Sequence, residues 1–242
     1  PYRRQRQMCI RDRLKVQKPG RYAGGESNRV VKDQEQVDVR FAFCFPDVYE
    51  VGMSHLGMKI LYGLFNEMDG VWCERVFAPW PDMEEQMREH HIPLYGLESG
   101  DAITDFDFIG FTLQYELSYS NVLNMLDLAG IPLYAKDRKG LGRIVVAGGP
   151  CACNCEPLAD FLDLVFLGEG EEVDREVIEL YRDCKKTGKT REEFLAAAAG
   201  IEGVYVPSLY QVDYHEDGTV KSISPTQGAV SYTHLTLPTI RL

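Results

Sequence analysis

Two short apolar segments, residues 144–147 and 162–167, each run directly into a glycine-bearing turn. The first ends in Gly148-Gly149-Pro150 and the second in Gly168-Glu169-Gly170-Glu171. Two strand ends built almost without side chains let a ligand approach the backbone closely, and glycine tolerates the positive φ that such turns demand. In open parallel sheets the ligand lies beyond the carboxyl ends of the strands. The stretch 143–172 therefore predicts both a fold class and the edge at which that fold works.

The remaining segments alternate in the same way. Residues 38–45 place Val39, Phe41, Phe43 and Phe45 on one face and Ala42 and Cys44 on the other, a strand covered on both sides. Pro46 and a loop over 47–53 follow, and Ser54 is the expected N-cap of a helix carrying Leu56, Ile60 and Leu64. A second strand is expected over 71–78, and Pro79-Trp80-Pro81-Asp82 breaks it before a helix over 83–90. Residues 92–98 read as a short strand or connection. A third strand over 106–113 leads to a helix over 117–129, and the fifth strand leads to a helix over 172–181. Strands alternating with helices predict an α/β fold, a doubly wound parallel sheet with right-handed crossovers. The expected strand order is 2-1-3-4-5, with the switch point between the first and third strands.

Residues 187–228 break this rhythm, with a short helix over 191–199 and two apolar segments, 203–214 and 219–224, flanking Asp217-Gly218. Asp-Gly between such segments is a hairpin signal. The α/β domain is thus expected over 37–186, after an irregular lead-in at 14–36 and before a small helix-plus-hairpin extension. The two ends read differently. Residues 7–13 back-translate to CAG ATG TGT ATA AGA GAC AG, and 230–235 back-translate to its reverse complement, GTC TCT TAT ACA CAT CT. That is a transposon-type sequencing adapter, so residues 1–13 and 229–242 are expected to be adapter-derived tails. Without their six arginines and one aspartate the net charge moves from −11 to −16.

An acidic chain without clustered lysine and arginine is not expected to bind nucleic acid. No apolar run approaches the roughly 18 residues of a membrane span. Seven unevenly spaced cysteines read as reduced thiols, which predicts a cytoplasmic protein. Gly-x-Gly-x-x-Gly does not follow the first strand, which disfavours a dinucleotide.

Several motifs, in order at successive strand ends, carry a resemblance. They are Pro46 with Tyr49, Gly52 and Ser54-His55-Leu56-Gly57; Asp107-Phe108-Ile109-Gly110-Phe111-Thr112; Gly148-Gly149-Pro150; and Asp163-Leu164-Val165 with Gly168-Glu169-Gly170-Glu171. Together they resemble the amino-terminal cobalamin-binding domain of radical S-adenosylmethionine (SAM) enzymes, over about residues 14–226. The lead-in and the segment 77–89 resemble an uncharacterised branch of that group. The resemblance implies a flavodoxin-like or Rossmann-like domain that presents cobalamin at the carboxyl edge to a following radical barrel. SAM and a four-iron four-sulfur cluster would belong to that downstream domain. Residues implied around the cofactor are Pro46, Tyr49, Gly52, Ser54, His55, Leu56, Gly57, Thr112, Leu113, Gln114, Ser118, Asn121, Gly148, Gly149, Pro150, Gly168, Glu169, Gly170 and Glu171.

Two departures qualify the pattern. The Asp-x-His-x-x-Gly signature of base-off cobalamin mutases is absent around His55, so ligation of cobalt by His55 does not follow. Cys151-Ala152-Cys153-Asn154-Cys155 lacks the Cys-x-x-x-Cys-x-x-Cys spacing that holds a radical SAM cluster. The segment by itself is expected to be catalytically inactive. A cofactor-free docking domain and a flavin- or nucleotide-binding module remain open as alternatives, and Asp107 and Asp163, at strand starts, read as structural. Sequencing the genomic locus is expected to replace both tails and to continue the reading frame past Thr226 into a Cys-x-x-x-Cys-x-x-Cys motif. A genomic stop codon at that point would overturn the expectation.

Overall fold

The computed structural model describes residues 15–226. Both suspected adapter tails, 1–13 and 229–242, lie outside the described residues. Five parallel strands form the sheet: β1 (Val39–Phe45), β2 (Val71–Phe77), β3 (Phe108–Thr112), β4 (Ile144–Gly148) and β5 (Leu164–Phe166). Their order is β2-β1-β3-β4-β5, the expected one.

Both sheet faces are apolar because each is covered by helices. Phe41, Phe43, Val146 and Phe166 look toward Met58 and Phe65 of α2 (Leu56–Glu67) and Val177 and Tyr181 of α5 (Gly170–Thr187). Ala42, Ile109, Phe111 and Val145 look the other way. They pack on Met83 and Met87 of α3 (Pro81–Glu89) and Val122 and Met125 of α4 (Tyr119–Ala129). Alternate residues of one strand thus serve two cores, the consequence of a period of two in a sheet buried on both sides. The lead-in covers the β2 edge: Lys32 Nζ donates to the carbonyls of Asn66, Met68 and Val71, and Trp72 Nε1 donates to the Val30 carbonyl.

Three local expectations are corrected. Residues 47–53 are not a loop, since α1 (Tyr49–Ser54) occupies most of the stretch. Ser54 therefore ends a helix, its hydroxyl donating to the Glu50 carbonyl at 2.7 Å, and the N-cap of α2 is His55, whose Nδ1 accepts from the Met58 amide at 3.2 Å. The C-terminal segment 203–214 is not one hairpin arm. Its start, β6 (Val204–Tyr205), joins the main sheet antiparallel to β5, with Val165 opposite Tyr205. An unpaired β5 edge would leave backbone donors and acceptors without partners, and α6 (Arg191–Ala198) returns the chain there. Beyond it, β7 (Tyr210–Tyr214) and β8 (Val220–Pro225) form the separate hairpin signalled by Asp217-Gly218.

The amino edge of the sheet is tied by buried ions. Asp163 accepts from the Val145 amide at 2.8 Å and sits between Arg138, at 3.3 Å, and Arg191. Arg191 also donates to the carbonyls of Gly140 and Gly142, which joins α6 to the entry of β4. Asp107 accepts from the Arg40 amide and from the Tyr181 hydroxyl, each at 2.8 Å. Both aspartates are structural, as expected from their positions at strand starts. Replacing Asp163 by alanine leaves two buried guanidinium groups facing each other, and is expected to cost about 3–5 kcal/mol. Urea unfolding of Asp163→Ala against the parent measures it, and a loss below about 1 kcal/mol would contradict this account.

Candidate functional site

The carboxyl edge holds a cavity of about 270 Å³ between α2 and α5, bounded by the ends of β3, β4 and β5 and by Phe41 and Phe43 of β1. Its floor is aromatic and aliphatic: Phe41, Phe43, Phe65, Val146 and Phe166. Gly110, in the middle of β3, makes this floor possible, because a Cβ there would lie 2.5 Å from Phe41 Cζ. With no side chain at Gly110, the Phe41 ring lies across β3 and stacks on Phe65 at 4.5 Å.

Around this floor the structure brings together His55, Gly57, Thr112, Gln114, Gly148, Gly149, Pro150, Gly168, Glu169, Gly170 and Glu171. These residues come from three strand ends, those of β3, β4 and β5, and from the N-terminus of α2. The others named from sequence have different neighbours. Gly52 is packed against Phe77 and Phe45, the Tyr49 hydroxyl donates to Glu26, and the Ser118 hydroxyl donates to the Tyr115 carbonyl. Asn121 donates to the Pro46 carbonyl at 2.9 Å, so that these two residues brace α4 against the end of β1. Ser54 ends α1, Leu113 is fully buried on the opposite face, and Leu56 points outward, 69% exposed.

The polar rim is a hydrogen-bond chain with a defined direction. Because His55 Nδ1 accepts the Met58 N–H, the ring proton belongs on Nε2, which lies 3.0 Å from Gln114 Oε1. Gln114 Nε2 then donates to Thr112 Oγ1 at 2.7 Å. Both imidazole nitrogens are engaged, so ligation of a metal by His55 would require one of these bonds to break. Gly149 serves the backbone rather than the cavity. Its φ is +98°, and a Cβ there would lie 2.8 Å from the Leu113 carbonyl oxygen, where β3 and β4 knit together. Gly148 is different: a Cβ there meets only Phe166, at 3.7 Å, in ordinary contact.

Acidic groups dominate the wall formed by the β5–α5 turn. Glu169, Glu171 and Asp174 all line it. Asp174 is 5% exposed, and burial, reinforced by the nearby Glu171 charge, pushes its carboxyl up to about 8. Asp174 was not among the residues singled out from sequence, although a signal exists. It falls one position after Val173 and three and four before Val177 and Ile178, on the apolar stripe of α5. The aromatic floor was also missed as a lining, because those residues read simply as core.

The three clustered cysteines lie away from this cavity, in the turns after β4. Cys153 is exposed, Cys151 is partly buried and Cys155 is buried. Burial raises the Cys151 thiol and pushes Cys155 up to about 11, which disfavours the thiolate that a metal needs. Among the described residues no group of three or more His, Cys, Asp or Glu side chains is arranged to hold a metal ion. No described helix is long and apolar enough to cross a membrane.

Comparison with known proteins identifies the family of the chain. The family described as radical SAM proteins, N-terminal, matches residues 57–207, from the first turn of α2 to just past β6. The chain is also similar to the uncharacterized protein MJ0966 of Methanocaldococcus jannaschii, 30% identical over 135 residues. That alignment covers 55% of this chain and 24% of the relative, so the chain spans about a quarter of that protein's length. No solved structure matches. With the family match covering more than half of its length, this chain belongs to the radical SAM N-terminal family.

Proposed function

We propose that this chain is the cobalamin-binding segment of a radical SAM enzyme, holding a corrinoid at the carboxyl edge of its sheet and presenting it to a downstream domain. The observation that carries this reading is the cavity between α2 and α5, which opens onto that edge. Its rim consists largely of glycine backbone, and its floor is aromatic. A whole corrinoid is far larger than about 270 Å³, so the residues present fit one arm of such a molecule, with the macrocycle over the glycine rim.

Thr112 and Gln114 are suited to exchange hydrogen bonds with amide arms, since both already belong to a polar chain at the mouth. Phe43, Val146 and Phe166 would supply apolar contact. When bound, the cofactor supplies a redox-active cobalt for chemistry completed in the downstream domain, and His55 is not assigned as its ligand. SAM and the iron–sulfur cluster belong to that domain in this reading. A ring of exposed apolar side chains on the same edge supports docking there: Leu117 is 87% exposed, with Leu56, Ile60 and Tyr115 also solvent-facing. The acidic turn Glu169–Glu171 argues against a terminal phosphate, and so against a nucleotide or flavin mononucleotide.

Incubation with hydroxocobalamin followed by gel filtration tests the proposal. The protein is expected to retain corrin absorbance, and Gly148→Leu, which places a side chain at the open position of the rim, is expected to weaken retention at least about tenfold with the circular dichroism unchanged. Absence of retained corrin absorbance in the parent, or retention of flavin mononucleotide in its place, would overturn it.

A further inference from the structure

Asp174, only 5% exposed, lines the cavity wall, and among the described residues its carboxyl is met by burial and the Glu171 charge rather than by a hydrogen bond or an ion pair. It stands one turn into α5, where Gly170 leaves room for it: a Cβ on Gly170 would lie 2.9 Å from Asp174 Oδ2. The other titratable side chains lining the cavity are Glu169 and Glu171 from the β5–α5 turn and His55 from the N-terminus of α2. None can neutralise an Asp174 carboxylate as the site stands. The Glu171 charge repels it, Glu169 is another acid, and both His55 ring nitrogens are already engaged. Helices in globular proteins do not leave a carboxyl on the apolar stripe without a partner unless something else meets it.

We infer that Asp174 is held as a neutral carboxylic acid and acts as the hydrogen-bond donor of this cavity. It would select an uncharged acceptor on the ligand, an amide carbonyl or a ring nitrogen, and turn away carboxylates and phosphates. A protonated carboxyl can donate a hydrogen bond where a carboxylate can only accept one. The inference rests on the corrinoid reading for its ligand, because a corrinoid carries many amide carbonyls. It adds a residue that decides which chemical groups enter.

The sign of the pH dependence follows from the direction of the shift. The folded-state value of about 8 lies above the ordinary value of 3.8, so the folded protein keeps a proton that the unfolded chain releases. The contribution of this group to stability is full below about 4 and is lost as pH rises through about 8. Ligand affinity should fall over the same upper limb.

Infrared difference spectra of the ligand-free protein test the protonation state, and hydroxocobalamin titrations test the donor. At pH 7 the parent is expected to show a protonated-carboxyl carbonyl band that is absent from Asp174→Asn and fades with a midpoint near 8. Hydroxocobalamin affinity is expected to drop about tenfold between pH 7 and pH 9 in the parent. It should be independent of pH in Asp174→Asn, which keeps a donor, and about tenfold weaker at pH 7 in Asp174→Leu. Absence of the band would overturn the neutral-acid assignment whatever the ligand. Tight binding that neither variant nor pH alters would overturn the donor role while leaving the corrinoid reading intact. A parent that binds no corrinoid at any pH yet shows the band would remove the corrinoid reading, and with it the donor role assigned here, while leaving the neutral acid.

Discussion

The contact on which most of this structure depends is the Phe41 ring lying across Gly110. It joins β1 to β3 at the point where the strand order reverses, since Phe41 is paired with Phe108 and Phe43 with Gly110 in the parallel register. The ring is held from above by Phe65 of α2 and from the side by Phe108, whose ring stacks at 5.6 Å. Phe108 in turn meets Tyr181 of α5 and Phe194 of α6 edge-on. One aromatic cluster therefore seats three helices on one face of the sheet. Any side chain at position 110 would lift the Phe41 ring and separate α2 from the sheet, because interiors packed to crystalline density have no room to absorb it.

The same cluster stops short of the carboxyl edge, and the two edges of the sheet are consequently unlike. At the amino edge Asp107 and Asp163 satisfy strand-entry amides and anchor arginine, lysine and tyrosine side chains from the helices. That edge is locked by buried charge pairs, whose geometry resists rearrangement once both partners are desolvated. At the carboxyl edge the corresponding positions are glycine, proline and threonine, and the space between α2 and α5 is left to be filled. Buried charge pairs are concentrated at one end of the strands and the cavity opens at the other, the edge at which open α/β sheets generally take ligands.

Much of this was legible in the chain. The alternating apolar segments specified a parallel sheet with helices on both faces, because each strand had to be buried on both sides, and the strand order expected of a doubly wound sheet was the one found. Successive strand ends carrying glycine marked the edge that would be open. The places where local reading failed share a cause. Residues 47–53 carry Gly52 and follow Pro46, which suggests a loop, yet Gly52 lies within α1, so close to Phe77 that a Cβ there would come within 2.4 Å of the ring. Val204 and Tyr205 read as the start of a hairpin arm, but an unpaired β5 edge captured them. Tertiary partners outweighed local propensity in both.

By itself, then, the sequence determined the α/β class and the glycine-bearing strand ends beside which the cavity lies, because periodicity and glycine placement act over a few neighbouring residues, while the expected strand order matched the sheet. Only the tertiary structure decided which side chains share the cavity. It turned Ser118, Asn121 and Tyr49 to bracing contacts and gave both nitrogens of His55 hydrogen-bond partners. It also brought the unremarked Asp174 of α5 to the wall facing Phe41 and Phe43. The physical reason is distance: these residues are scattered over more than a hundred positions of chain, and only the packing of α2 and α5 on a twisted sheet sets them within a few ångströms of one another.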